Sequence, residues 1–453
     1  MRVDRLTIFS HLWAIAGLCE WTRWTFTESG GSWMLVLSAG ALFLAPSSVS
    51  ALAIFAAVQT TFHVLAANQP WNHGLFMALV NLTILAGIGW WRAAGQREAS
   101  AAGREALVET IGPPVRLGLI ALYLMTFTHK LNADFLDPDV SCAGWLLGHL
   151  GRAYRVVPVA EWSIVGSIWG TLVVELLVPV LLCFRRTVSL GLAIGTGFHL
   201  FLSQFGGLHG FAAMLFAVYF LFLPRAFTER VAARAARWPA PGLPATAVGV
   251  GAALVAWKLL GRVAHLPHIY RGLVLWDVWL LAVVAIFGRE LVRTWRVPAD
   301  FGLRPRWAPL WAMPVVVVLN GLSPYVGLKT ETSWAMYSNL RTETLPNHFV
   351  IPAAAKLFGY QDDLVEIVDA TLPALREYAQ PDVRLTFFEL QRICSAATDD
   401  FTATYRRHGA LRTLVVSGRV ANDVEACRPH SGIAGTLLRF RPVDVGARAR
   451  CRH

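Results

Sequence analysis

Charged residues are scarce in this chain. Only 15% of its 453 residues are Asp, Glu, Lys or Arg, whereas about 25% of a typical soluble domain is charged. Hydrophobic residues account for 55% of the chain, and the mean hydropathy is +0.49. A soluble fold of this length would expose much of that apolar surface to water. The composition therefore argues against a soluble enzyme and predicts an integral membrane protein.

Two familiar sequence signals are also missing. The six cysteines form no CxxC motif and no Cys/His cluster with metal-site spacing, so no metal is predicted. The first apolar stretch contains Cys19 and Glu20 and lacks an A-x-A-like cleavage site, which argues against a cleavable signal peptide. The first span is then expected to serve as the signal anchor.

The apolar segments predict an all-α polytopic membrane bundle. A membrane-spanning helix needs about 20 mainly apolar residues, and by this criterion we expect about nine to eleven transmembrane helices. The first candidate is weak because it contains His11 and Glu20, and the second is weak because it is short. The candidates lie near residues 7–22, 32–45, 49–67, 74–91, 115–129, 162–184, 188–205, 208–224, 244–260, 272–288 and 308–325.

Arginines mark alternate connections between these segments. Such a bias identifies cytoplasmic loops, so it predicts a cytoplasmic amino terminus and, with an odd number of spans, an external carboxyl-terminal region. The net charge of +11 then comes mostly from arginines that orient the chain in the membrane, and no nucleic-acid partner is expected. We expect the bacterial inner (cytoplasmic) membrane as the location and the lipid bilayer as a partner; no protein partner can be named. The basic set comprises Arg2, Arg5, Arg92, Arg97, Arg104, Arg116, Arg185, Arg186, Arg225, Arg230, Arg234, Arg237, Arg289, Arg293, Arg296, Arg304 and Arg306.

Residues 351–453 differ from the membrane domain predicted over residues 1–350. Short apolar segments at 364–368, 411–416 and 437–440 favour strands, and a helix is expected near 398–408. We predict a small α+β extramembrane domain, with its own core or docked on the bundle. Four cysteines fall on the predicted outer side, where disulfides can form, but their pairing is not readable: Cys142, Cys394, Cys427 and Cys451.

Four polar segments fall on the same predicted outer side, which suggests a cavity there. They are Trp71-Asn72-His73, the motif His129-Lys130-Leu131-Asn132-Ala133-Asp134-Phe135, His199 with Ser203 and Gln204, and the stretch 327–341. Each also has a plain structural interpretation: Lys130 could snorkel to the interface, Trp71 could be an interfacial aromatic, and His199 could be a bundle histidine. A partly desolvated lysine, by contrast, can act as a general base.

Glu175 lies in the middle of a predicted span. A carboxylate inside hydrocarbon costs roughly 2.5 kcal/mol or more unless it is paired. Three possibilities remain open: Glu175 is protonated, accepts a hydrogen bond from His199, or pairs with Lys258.

Together the four segments resemble the membrane domain of vitamin K-dependent gamma-carboxylase and its bacterial relatives, the horizontally transferred transmembrane domain family. The motif at 129–135 resembles the carboxylase's Lys-Lys-Leu-Asp-Ala-Asp-Trp, and Trp71-Asn72-His73 resembles its Trp-Asn-Asn-His. Phe198-His199 followed by Ser203-Gln204, and Ser333-Trp334-Ala335-Met336, resemble further family segments in the same order. The likeness covers roughly residues 1 to 350.

The resemblance implies a quinol cofactor, either vitamin K hydroquinone or menaquinol, at the outer leaflet. In that family a lysine deprotonates the hydroquinone, which places the catalytic base on Lys130. The family's catalytic histidine falls on His73, which would hydrogen-bond a quinone oxygen. Trp71 and Trp334 would flank the ring, and the remaining cofactor-binding positions would be Asn72, His199 and Asn132.

Three departures from the family limit this assignment. The first is that Lys-Lys has become His129-Lys130, which leaves one candidate base. The carboxylase has a tyrosine where this chain has Thr332, and it has a much larger lumenal region than the roughly 100 residues after position 350, so protein carboxylation is not expected. Two function classes follow: a quinol-dependent oxygenase, epoxidase or lyase, and a non-enzymatic lipid-binding, immunity or signalling protein of the same fold. A transporter is a third possibility, although the chain lacks the paired half-repeats of many transporters.

Overall fold

The computed structural model describes residues 3–21, 30–63, 71–154, 158–204, 208–236, 280, 287–352, 355–418, 420–430, 432–446 and 448–451. The protein is mostly helical. The helices up to the last apolar one are α1 (Arg5–Trp21), α2 (Gly30–Leu44), α3 (Val49–Thr61), α4 (Asn72–Ala93), α5 (Ala101–Lys130), α6 (Ala133–Leu136), α7 (Cys142–Tyr154), α8 (Glu161–Leu182), α9 (Val188–Ser203), α10 (His209–Phe220), α11 (Arg225–Ala235), α12 (Arg289–Arg293) and α13 (Ala312–Leu322), the last preceded by a 3-10 turn at Ala308–Trp311.

Among the described residues, three helices are long and apolar enough to cross a membrane: α4, α5 and α8. Helices α10 and α11 pass the same test as a pair, but they are bent by 106° where they meet. The other predicted spans that the structure describes are shorter apolar helices. The span predicted at 244–260 and most of the one at 272–288 lie outside the described residues, so the total of nine to eleven stays a prediction.

Helix α5 begins earlier than predicted. It starts at Ala101 rather than near 115, and it continues through Pro113 and Pro114. Arg116, counted among the loop arginines, therefore lies within the helix, where it is completely buried. Burial is possible because its guanidinium donates hydrogen bonds to the carbonyl oxygens of Leu221 and Gly302, so the charge is solvated by backbone dipoles.

The chain divides into two compact units. The first comprises the described residues within Met1–Ala66, His73–Ala121 and Leu176–Val316. Its interior contains a chain of polar bonds between apolar helices: the indole Nε1 of Trp13 donates to Asn81 Oδ1 at 2.8 Å, and Asn81 Nδ2 donates to Gln59 Oε1 at 2.7 Å. These bonds join α1, α4 and α3 and satisfy groups that would otherwise be costly to bury.

The second unit comprises the described residues within Ala67–Asn72, Leu122–Glu175 and Val317–His453. It contains the expected carboxyl-terminal antiparallel sheet, which confirms the α+β character of this region. Its six strands, in sheet order, are β5 (Val420–Ala421), β4 (Ala410–Ser417), β3 (Phe401–Arg407), β1 (Leu364–Ala370), β2 (Val383–Thr386) and β6 (Val443–Asp444). Three further helices are α14 (Pro373–Arg376), α15 (Phe387–Ala396) and α16 (Gly432–Leu437).

Two local predictions in the sheet region are wrong. Residues expected to be helical near 398–408 form β3, because Phe401, Ala403 and Tyr405 alternate into the core and the strand turns back through His408 and Gly409, both at positive φ. This two-residue turn matches the twist of an antiparallel hairpin. The segment 437–440 forms no strand: Leu437 is the last residue of α16, and the residues at 438–440 follow it as irregular backbone. The strands expected at 364–368 and 411–416 are confirmed as β1 and β4.

Two disulfides join the four cysteines that were expected on the outer side. Cys142 at the start of α7 is bonded to Cys451, and Cys394 in α15 is bonded to Cys427. In the part of the chain that the structure describes, Cys19 and Cys183 form no disulfide. The first disulfide fastens the carboxyl-terminal end of the chain to the helical part of the second unit.

Candidate functional site

Lys130, the predicted base, is the last residue of α5 and is directly bonded to Glu175 of α8. Its amine Nζ lies 2.9 Å from Glu175 Oε1, and the two side chains are only 7% and 10% exposed. Lys130 therefore does not snorkel to solvent. This partner of Glu175 is neither of the two that the sequence suggested, His199 and Lys258, and Lys258 lies outside the described residues. Local sequence carries no signal for this pair, because it depends on how α5 and α8 are rotated against each other.

Two opposing effects act on this pair. Burial favours neutral forms, an amine beside a carboxylic acid, whereas mutual attraction favours an ammonium beside a carboxylate. Both forms have zero net charge and differ only in the position of one proton across a 2.9 Å hydrogen bond. The second oxygen of Glu175, Oε2, is buried and has no hydrogen-bond partner among the residues described. The pair can therefore accept a proton or a hydrogen bond from a ligand.

Asn132 holds the backbone that follows Lys130. Its Oδ1 caps the short helix α6 by accepting from the amide of Phe135 at 2.8 Å, and its Nδ2 donates to the carbonyls of His129 and Ser338. Asn347 donates to the same Oδ1 at 3.2 Å. Asn132 thus positions the lysine, and a direct contact with a cofactor would require one of these bonds to break.

A second asparagine, Asn347, extends this network. Its Nδ2 lies 2.6 Å from Asp134 Oδ2 and 2.8 Å from the carbonyl oxygen of Asn339. Asp134 also accepts from the backbone amide of Ala449 at 3.0 Å. The end of the chain and the 339–347 loop are therefore bonded to the lysine motif through buried polar groups, which rigidify it.

Trp334 and Asn72, both predicted to bind a cofactor, meet in the second unit. The amide of Trp334 donates to Asn72 Oδ1 at 2.8 Å, and its indole Nε1 donates to the carbonyl of Val317 at 2.8 Å. The Trp334 side chain is 1% exposed, whereas the neighbouring Trp71 is 43% exposed. Trp334 is thus a packed, hydrogen-bonded residue of this loop, and Trp71 is the more accessible ring.

The loop that carries Trp334 is conformationally strained. Four of its residues other than glycine have positive φ: Thr332, Trp334, Tyr337 and Asn339. Each such residue costs roughly 1–3 kcal/mol and persists only where surrounding contacts impose it, as commonly occurs at functional sites. The loop also buries Lys329, whose Nζ donates to Thr332 Oγ1 at 3.1 Å. Burial lowers the pKa of Lys329 to about 8.

His73 and His199, the two predicted histidines, lie in the first unit. Both are buried, and their rings contact the same phenyl ring, that of Phe211, with centroid distances of 6.3 and 5.3 Å. His63 is also buried, and a Cβ at Gly74, next to His73, would lie 2.8 Å from His63 Nδ1, so a larger residue at position 74 would have to displace the imidazole. His73 and Lys130 belong to different units, and the expected separation of less than about 10 Å, needed for both to reach one ring, stays a prediction.

An aromatic group that the sequence analysis missed adjoins the lysine motif. The Tyr325 ring lies between the imidazoles of His129 and His348, with centroid distances of 5.5 and 4.9 Å. His129 Nε2 lies 2.8 Å from the carbonyl oxygen of Gly321, so this nitrogen carries the proton. Within the described ranges, the buried Tyr325 hydroxyl has no hydrogen-bond partner. Because the three residues are far apart in the chain, no sequence motif identifies them as a group.

No protein-family model, curated protein or solved structure matches this chain. Among the described residues, no group of three or more His, Cys, Asp or Glu side chains is arranged to hold a metal ion. The assignment of a function therefore depends on the residues themselves.

Proposed function

We propose that this chain is a multi-pass membrane protein in which Lys130 and Glu175 transfer a proton to or from a lipid-soluble quinol at the outer leaflet. The observation that carries this proposal is the buried ion pair between Lys130 and Glu175. Burying two charges costs several kcal/mol per ion before their attraction is counted, so such a pair is seldom kept in an apolar segment without a use.

The pair has the properties of a proton acceptor. The pair is either an amine beside a carboxylic acid or an ammonium beside a carboxylate. In the first form a proton is taken up at Nζ and in the second at Oε2, and both give an ammonium beside a carboxylic acid. That product has a net positive charge, which stabilises negative charge on a ligand held beside it. When bound, a quinol would supply an acidic hydroxyl group and reducing electrons.

Glu175 Oε2, which has no hydrogen-bond partner in the part of the chain that the structure describes, fits a ligand that carries a hydroxyl group. Trp71, exposed beside Asn72, offers an aromatic face for a ring. The role of His73 as a second hydrogen-bonding group stays what the resemblance to the carboxylase family implies, and the proposal does not depend on it. The strained loop around Trp334 adds support, because strain of this kind commonly accompanies function.

The outer-leaflet placement has two supports. Arginines occupy alternate connections, which is typical of cytoplasmic loops. Both disulfides lie on the opposite predicted side, as expected in an oxidising compartment such as the periplasm. These supports agree with the proposed location at the periplasmic face of a bacterial inner membrane.

A quinol-dependent oxygenase consumes oxygen, so oxygen uptake by the purified protein in lipid nanodiscs tests the proposal. Menaquinol and vitamin K hydroquinone are the probes. We expect uptake by the wild type and a loss on the order of a hundredfold or more in Lys130→Met, the usual effect of removing a positioned general base. Lys356→Met is the matched control, because Lys356 lies at the surface, where it pairs with Asp362. An absorbance spectrum of the purified protein checks for a bound quinone.

Each other outcome has a defined meaning. Equal uptake by the wild type and Lys130→Met would keep the enzyme but remove Lys130 from its chemistry. Absence of uptake with both quinols would reject the enzymatic proposal.

A non-enzymatic membrane protein, with a lipid-binding, immunity or signalling role, is the second candidate. It is favoured by the hydrogen bonds of Asn132 and Asn347, which engage both the oxygen and the nitrogen of each side-chain amide in holding the loops together. In this case the Lys130–Glu175 bond would only fasten α5 to α8. Wild-type protein that binds no quinone and consumes no oxygen would support it.

A further inference from the structure

The described residues of the segment 345–360 expose an unusual number of apolar side chains. Phe349 is 65% exposed and Leu357 is 78% exposed, and four other large apolar side chains of the segment are exposed as well: Leu345, Val350, Phe358 and Tyr360. None of these residues belongs to an apolar helix. Contiguous apolar exposure of this kind marks a site of contact with a protein or a membrane.

One end of the segment is bonded to the end of α5. The amide of Ala133 donates to the carbonyl of Asn347 at 3.0 Å, and the amide of Phe349 donates to the carbonyl of Leu131 at 3.2 Å. Leu131 is the first residue after the long apolar helix α5. Phe349 is therefore held at the level where this helix ends.

The other end of the segment is bonded just beyond α13. The amides of Leu357 and Phe358 both donate to the carbonyl of Val326, at 2.9 and 3.0 Å. Val326 lies four residues after the end of α13 at Leu322. The segment thus connects the carboxyl-terminal exits of two apolar helices within the second unit.

We propose that the described residues of the segment 345–360 lie in the boundary between lipid headgroups and acyl chains, in the leaflet where α5 and α13 end. Aromatic side chains favour this depth, and an apolar face inserts about 5–10 Å into it. The segment contains only one charged residue, Lys356, which pairs with Asp362, so little charge has to be desolvated at this depth. The inference rests on the membrane placement of α5 proposed above and not on the chemistry at Lys130.

Spin labels on the full chain in vesicles test this placement. The vesicles contain phosphatidylcholine and phosphatidylglycerol, and the background is Cys19→Ser/Cys183→Ser, with both disulfides left intact by labelling without reductant. Labels are attached at Phe349→Cys and Leu357→Cys, with Leu345→Cys as a further position if either variant elutes as aggregate. Oxygen, which partitions into lipid, and a neutral nickel chelate, which stays in water, are the relaxing agents.

Two reference positions make the result decisive. Val173→Cys lies on α8 where the side chain is 57% exposed, and Leu411→Cys lies on β4 where it is 60% exposed. We expect the ratio of oxygen to nickel accessibility at 349 and 357 to be several-fold above that at 411 and below that at 173. The leucine on the sheet matches the segment in exposure and apolarity but is expected to face water.

Three outcomes would overturn the inference. Water-like ratios at 349 and 357 with a lipid-like ratio at 173 would refute the interfacial segment alone. A water-like ratio at 173 as well would refute the membrane placement on which it rests. Labels at 349 and 357 shielded from both agents would indicate a protein partner or a second copy in place of lipid.

Discussion

The amine of Lys130 and the carboxylate of Glu175 are joined by a 2.9 Å bond between buried side chains. Removing one member leaves the other without compensation, which typically costs about 3–5 kcal/mol. We therefore expect Lys130→Met to lower the thermal stability of the detergent-purified protein.

The double variant Lys130→Met/Glu175→Gln separates stability from chemistry. Gln has the shape of a protonated Glu, so the double variant carries no unpaired charge and should recover most of the lost stability. Oxygen uptake should stay absent in it, because the amine is missing. Recovery of uptake together with stability would show that the pair is only a structural fastener between α5 and α8.

Asn347 is the second residue on which the lysine motif depends. Its side-chain amide donates to groups of Asp134, Asn132 and Asn339. Asn347→Ala removes a hydrogen-bond donor from the buried carboxylate of Asp134, and we expect a destabilisation of about 1.5–3 kcal/mol. Asn422→Ala, which removes bonds from an exposed position next to β5, is the control and should cost about 1 kcal/mol or less. Equal losses in the two variants would contradict the importance assigned to this network.

The accuracy of sequence-based prediction differs sharply between features of this chain. Strands β1 and β4 were predicted because apolar residues alternate along them. Helices α4 and α8 were predicted because long apolar runs with few charges are typical of membrane-spanning helices. The start of α5 was missed because Pro113, Pro114 and Arg116 look like a helix boundary. A buried helix tolerates them where neighbouring backbone carbonyls bind the arginine.

The candidate site was predictable only in part. Lys130 stood out because a lysine at the end of an apolar helix is unusual. Its partner could not be found, since Glu175 is 45 positions away and the contact is fixed by helix packing rather than by local pattern. The Tyr325 ring between His129 and His348 was hidden for the same reason. Tertiary contacts of this type leave no periodic signal.

The disulfide between Cys142 and Cys451 closes the longest covalent loop in the described part of the chain. Losing a crosslink of this kind typically costs about 2–5 kcal/mol. We expect Cys451→Ser to lower the thermal midpoint under non-reducing conditions. Cys183→Ser should change it little, because Cys183 forms no disulfide with any described residue. A Cys451→Ser variant as stable as the wild type would show that the hydrogen bonds from Ala449 already secure this end of the chain.

Lys329 should give the stability a distinctive pH dependence. Its pKa is about 8 in the native state because burial disfavours the ammonium, against an ordinary value of 10.5. Between these values the unfolded chain binds more protons than the native one, so the contribution of this residue to stability improves as the pH rises from 8 to 10.5. Below pH 8 the native state carries the full cost of burying the charge.

Lys329→Met removes that cost and should therefore stabilise the protein most below pH 8, by at most roughly 3 kcal/mol. The advantage over the wild type should shrink as the pH approaches 10.5. Unfolding curves of both proteins from pH 6 to 10.5 measure the difference. Lys356→Met should change stability by less than about 1 kcal/mol throughout, since its ion pair lies at the surface. An advantage of Lys329→Met that does not vary with pH would contradict the assigned burial of charge.

The orientation of the chain can be measured with a reporter enzyme. Alkaline phosphatase becomes active only where its own disulfides form, outside the cytoplasm. The arginine pattern predicts that the carboxyl-terminal sheet lies outside, and the two disulfides agree with that prediction. We therefore expect activity when the reporter is joined to the carboxyl terminus of the full chain, and none when it is inserted after Ala236, beyond the basic helix α11. The reverse pattern would place Lys130 at the cytoplasmic end of α5 and would remove the outer-leaflet site, while leaving the bond to Glu175 as it is.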